Sequence, residues 1–208
     1  MTALIEVTRW NGATIRTVDI DGRLARLLKP ETLAHVRRTA ELARQLAEAH
    51  GVDPDQAELT ALLHRVASVY NDRQIMALAE YYEIRSDPTE TRVPRLLQGK
   101  VGAEILKNEW GIRDSELLDA VRHYISGAVR MAPLEKILFV ADKLEPERDK
   151  VYGDLDPVRA LAMTDLDAAV TRLSVWRRAE LPAASWRVDG MFTSQNELSE
   201  FARATWPS

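Results

Sequence analysis

An all-α helical bundle with a short β-hairpin at its N-terminus is the fold class this sequence predicts. Three observations carry it. Apolar residues recur at three- and four-residue steps from residue 21 onward. Cap residues stand where those runs begin and end. Only the first twenty residues alternate in the manner of strands. Ala3–Trp10 and Ala13–Ile20 are β-prone runs joined by Asn11-Gly12, a dipeptide suited to a type I′ turn because both central residues need positive φ. The expected organisation is therefore a hairpin accessory over 1–20 and one helical domain over 21–208.

Each helix has its own signals. Leu33, Val36, Ala40, Ala43 and Ala47 make one apolar face, with Gly51 placed to stop the helix. Asp53-Pro54 is a start signal, an acceptor at the cap followed by a proline that needs no donor there. That helix carries Leu59, Leu62, Leu63 and Val66. Asn71 caps a run with Ile75, Leu78 and Ala79 inward. Leu96, Leu97, Val101, Ile105 and Leu106 form the next, stopped by Gly111, and Asp114 caps one with Leu117, Leu118 and Val121. Leu134, Ile137, Leu138, Val140 and Ala141 form a strongly apolar helix expected at the centre. Ser194 and Glu197 spell a capping box for a last helix through Leu198 and Phe201.

Composition excludes several classes. A chain of 208 residues with 46% hydrophobic and 29% charged residues can bury a real core. With no cysteine, it has no disulfide, thiolate metal site or cysteine nucleophile. The net charge of -4 provides no global basic surface for nucleic acid. No apolar run is long enough to span a bilayer and no signal-peptide layout opens the chain, so a cytoplasmic protein is expected, without nucleic-acid or membrane partners.

The four histidines are the most informative residues. His35 lies early in the first long helix, His64 closes Leu62-Leu63, and Asp142 ends Phe139-Val140-Ala141. Burying two imidazoles and a carboxylate together is expensive unless they share a cation or a hydrogen-bond network. His50, beside Gly51, is expected to be a solvated helix end.

Five segments carry a resemblance. They are Leu33–Ala40 around His35, Ala57–Arg65 around His64, Leu96–Ala103, Ala120–Gly127, and Leu134–Asp149 around Asp142. In order and spacing they resemble the HD superfamily, and within it the YqeK-like bacterial proteins, over roughly residues 22 to 175. The resemblance implies an HD-domain helical bundle. It also implies symmetric hydrolysis of diadenosine tetraphosphate to two ADP at a di-metal, typically iron, centre.

Only part of the implied ligand set stands in this sequence. His35, His64 and Asp142 match the metal ligands, and Asp142 would be the catalytic carboxylate of an active enzyme. The bridging aspartate is replaced by Arg65, and two further histidine positions hold Gln98 and Tyr124. His123 stands one place early, which on a helix is a rotation of about 100°, and is not expected to substitute. The implied cofactor is then none, or one weakly bound divalent ion, iron or manganese. Arg65 has two readings. It forks onto a nucleotide phosphate, helped by Lys100, Lys136, Lys143 and Arg148, or it pairs with Asp142 in a dead site. Three functions follow: a non-catalytic or weakly active nucleotide-binding protein, a single-metal phosphohydrolase, or a partner-binding protein. The last would use the hairpin and Trp176, Trp186 and Trp206 as contacts. A homodimer is compatible with any of them.

Overall fold

The computed structural model describes residues 17–152 and 154–180. Those residues are helical where they are regular, as the periodicity predicts. Helix α1 (Thr17–Leu27) leads into α2 (Pro30–His50) and α3 (Pro54–Leu63). After a 3₁₀ turn at Val66–Val69 come α4 (Asp72–Tyr81) and α5 (Pro88–Arg92). A second 3₁₀ turn, Pro94–Leu97, runs directly into α6 (Gln98–Asn108). Then follow α7 (Ser115–His123), α8 (Pro133–Leu144) and the short α9 (Asp149–Tyr152). Helices α10 (Asp156–Thr164) and α11 (Leu166–Glu180) complete the described chain.

The caps are those the sequence names. Asp53 accepts from the backbone N–H groups of Asp55 and Gln56, Asn71 from that of Gln74, and Asp114 from that of Leu117. Gly51 and Gly111 take φ of 68° and 74°, the left-handed backbone that ends a helix without a Cβ penalty.

Helix α8 is the centre. It packs against α2, α3, α7, α10 and α11, and its residues Ile137 to Ala141 are all buried. A helix with so continuous an apolar stretch has little face to give to water, so others surround it. This arrangement brings α2, α3 and α8 together at the end of α8 that carries Asp142.

The structure corrects the sequence reading at four places, the first being Val66, which opens the 3₁₀ turn Val66–Val69 instead of continuing the helix of Leu59. Residues 1–16 of the expected hairpin lie outside the described residues, but Thr17–Ile20 open α1 instead of closing a strand. Ile20, Leu24 and Leu28 are buried at four-residue steps, and that helical stripe outweighs the local β propensity. Leu96 and Leu97 belong to the 3₁₀ turn, not to the helix of Val101, because Pro94 opens a separate short turn. His50 is not simply solvated: its Nε2 lies 2.7 Å from the carbonyl oxygen of Ala162. The helix expected at Ser194 and the tryptophans at 186 and 206 lie outside the described residues.

Candidate metal and phosphate site

His35 sits in the second turn of α2, and Thr39 donates to its backbone carbonyl, 2.9 Å away. His64 is the residue after α3, and its ring turns back on the helix, with Nδ1 2.5 Å from the Ala61 carbonyl oxygen. Asp142 is in the last turn of α8. Its Oδ1 lies 3.1 Å from His35 Nε2 and 3.3 Å from His64 Nε2. One ligand atom from each of the three lies within 4.8 Å of the others. The apolar flanks that drew notice to these residues place them together inside: His64 is 0% exposed and Asp142 6%.

The hydrogen bonds define which nitrogen faces inward. A carbonyl only accepts, so His64 carries its proton on Nδ1 toward Ala61. His35 Nδ1 faces Glu145 Oε1 at 3.1 Å, and an ionised carboxylate also only accepts. Both Nε2 atoms face the Asp142 carboxylate, and an imidazole nitrogen against a carboxylate oxygen calls for a proton or a cation between them. The donor set, two imidazoles and one carboxylate, fits a single divalent ion such as iron, manganese or zinc. His35, His64 and Asp142 would hold it, and it would supply a hydroxide nucleophile at neutral pH by lowering the pKa of a water.

Protonation follows from the surroundings. Burial lowers His64 to about 4, outweighing the hydrogen bond to Asp142, so the ring is neutral. Burial would lower His35 as well, but its bonds to Asp142 and Glu145 prevail and raise it. Burial pushes Asp142 up, yet the adjacent Lys143 ammonium and the two histidines hold it well below the usual carboxylate range. Glu145 is brought down to about 2 by His35 and Arg38 against the same desolvation.

The surrounding cations are numerous. Lys143 Nζ lies 3.4 Å from Asp142 Oδ2 and donates to the Tyr124 carbonyl at 2.7 Å. Arg148 Nη2 lies 3.3 Å from Asp142 Oδ1, and its Nε donates to the Asp142 carbonyl at 3.0 Å. Arg65 is directly after His64, so the strand of chain that positions one positions the other. The nearby Tyr124 side chain and Asp142 raise it against the cost of burial. Its buried Nε has no hydrogen-bond partner among the described residues. Tyr124, 1% exposed, stacks edge-on against His64 with ring centroids 4.8 Å apart.

The remaining sequence candidates go elsewhere. Lys100 pairs with Glu90 at 2.6 Å and Lys136 with Asp167 at 2.5 Å. His123 Nδ1 meets Glu135 Oε1, so it does not join the cluster through that nitrogen. Gln98 is half-buried at the start of α6. Sequence reasoning missed Glu145 and Arg38. Glu145 stands three residues after Asp142, a spacing that keeps two side chains on one helix face, and that signal was available.

Comparison with known proteins agrees with the geometry. The sequence matches the HD domain family over residues 32–147. The symmetrical bis(5'-nucleosyl)-tetraphosphatase of Bacillus subtilis is 33% identical over 136 residues, covering 65% of this chain and 72% of that protein. Its namesake in Halalkalibacterium halodurans is 32% identical over 153 residues, covering 72% and 80%. A crystal structure from Clostridium acetobutylicum, described as a predicted HD superfamily hydrolase involved in NAD metabolism, has a TM-score of 0.73 and 26% identity. It covers 78% of this chain and 85% of its own. No helix among the described residues is long and apolar enough to cross a membrane. A histidine-aspartate cluster at the heart of a helical bundle and a family match that spans it lead to one conclusion: this chain belongs to the HD-domain family of nucleotide phosphohydrolases.

Proposed function

We propose that this chain binds a nucleotide polyphosphate at the His35–His64–Asp142 pocket without cleaving it efficiently. The observation that carries this reading is the charge around the cluster. Two carboxylates, Asp142 and Glu145, stand among four cationic side chains, Arg38, Arg65, Lys143 and Arg148. Such a balance favours a polyanion. It disfavours a pair of divalent ions, which need carboxylates between them and repel a guanidinium. Arg65 stands where the family resemblance expects the bridging aspartate, and a guanidinium there can take phosphate oxygens that a second metal would otherwise hold.

Phosphohydrolysis with one metal at His35, His64 and Asp142 is the second reading. Two observations favour it: the three ligand atoms already lie together, and the relatives are named tetraphosphatases. The nucleotide class in both readings is that of the relatives, a dinucleoside polyphosphate such as diadenosine tetraphosphate. Thermal-shift titration with diadenosine tetraphosphate, ATP and AMP tests the binding claim. Stabilisation should follow phosphate number and disappear in Arg65→Glu. Equal shifts in the wild type and the variant would refute the phosphate role. Product analysis of the same mixtures, with manganese and then with EDTA, tests cleavage. Slow metal-dependent release of ADP that Asp142→Asn abolishes supports the second reading, and no release leaves a binder.

A further inference from the structure

Glu145 lies outside the ligand set that the family resemblance implies, yet it is among the most tightly held carboxylates among the described residues. It is 2% exposed. Its Oε2 accepts from Arg38 Nε at 2.6 Å and from the Glu147 backbone N–H at 3.0 Å. Its Oε1 lies 3.1 Å from His35 Nδ1, with Arg38 Nη2 at 3.4 Å. Arg148 Nε adds charge from 3.9 Å. Residues on α2 and on the turn Pro146–Arg148 after α8 thus hold both oxygens.

We infer that Glu145 is a positioning residue for His35, holding the proton on Nδ1 so that the Nε2 lone pair is presented to the cation site beside Asp142. The chemistry is that of a histidine ligand. Either imidazole nitrogen can carry the proton, and an acceptor at one nitrogen leaves the other free to coordinate. Without the carboxylate, the proton is free to move to Nε2, where Asp142 Oδ1 accepts it from 3.1 Å. His35 would then bond to the other ligand instead of joining it. Arg38 serves the same end one step further out: it occupies the second oxygen, so that Glu145 cannot rotate away from the ring. His64 is oriented differently, by the Ala61 carbonyl, so the two rings are set by independent means.

This inference rests on the one-metal reading, but its first test does not. Nitrogen-15 NMR of histidine-labelled, metal-free protein reads the His35 tautomer directly, on the limb of its titration where the ring is neutral. In the wild type the proton should sit on Nδ1. Glu145→Ala should shift the population toward Nε2, while His64 keeps its proton on Nδ1. Glu145→Gln, whose side-chain oxygen still accepts, should restore the Nδ1 form. An unchanged His35 tautomer in Glu145→Ala would overturn the proposal and reduce Glu145 to a partner of Arg38. Should Glu145→Ala fail to fold, Arg38→Ala replaces it, with a partial shift of the same sign expected and no shift counting against. Manganese titration then gives the consequence: about 10–100-fold weaker affinity in Glu145→Ala, recovered in large part by Glu145→Gln. A tautomer shift with no manganese binding in any form would refute the one-metal reading and leave the orientation of His35 intact.

Discussion

At the scale of single residues, the site is governed by where protons sit. His64 is buried with a value of about 4 against an ordinary 6.5, so it is neutral when folded, and the unfolded chain takes up the proton first as pH falls. Its contribution to stability is complete above pH 6.5 and is lost between there and about 4. His35 is raised and acts in the opposite sense: its contribution is present below the ordinary histidine range and disappears as pH rises through its folded value. Since burial dominates at His64 and carries it down to about 4, urea unfolding of metal-free protein should show stability falling from pH 6.5 toward 4. His64→Asn should flatten that fall, and a variant as pH-sensitive as the wild type would contradict the assignment. The triad itself was readable in the sequence, because a histidine or aspartate embedded in apolar residues must be buried, and buried ionisable groups need partners. Glu145 and Arg38 were harder to read. They lie in charged segments, and only the packing of α2 against α8 reveals that Arg38 closes on Glu145 rather than facing water.

At the scale of elements, caps and periodicity did most of the work. Asp53, Asn71 and Asp114 cap as read, since an acceptor side chain ahead of an apolar run serves local donors whatever the tertiary context. The failure at Thr17–Ile20 has the opposite cause. Thr, Val and Ile favour strands locally, and the packing of Ile20 and Leu24 decides the outcome instead. The crossing of α6 on α7 was beyond the reach of sequence. At Gly99 a Cβ would meet the Arg122 and Val121 carbonyl oxygens at 2.7 and 2.8 Å, so the two helices approach as closely as they do only because no side chain intervenes. Gly99→Ala should cost about 1–3 kcal/mol of unfolding free energy, since backbone atoms must move to admit the methyl. The urea midpoint measures it, and an unchanged midpoint would mean the helices part without penalty. Gln98 and Tyr124 lie beside this crossing in sequence, so their placement depends on it.

At the scale of the whole molecule, the buried, largely apolar α8 gathers its neighbours, and the polar cluster at its end inherits their geometry. Residues 32–147, the part that matches the HD family, contain every residue of the triad and Glu145. The family likeness and the residue-level reading then separate. The relatives carry the name of a tetraphosphatase, while Arg65, Lys143 and Arg148 crowd the Asp142 carboxylate with positive charge. On the reading proposed above, this excess of cations over carboxylates limits metal capacity and favours phosphate. The most direct test is calorimetric titration of manganese into the metal-free wild type and Asp142→Asn. One weak site per chain, absent in Asp142→Asn, is the result predicted here. Two sites per chain, or a site that survives Asp142→Asn, would contradict it.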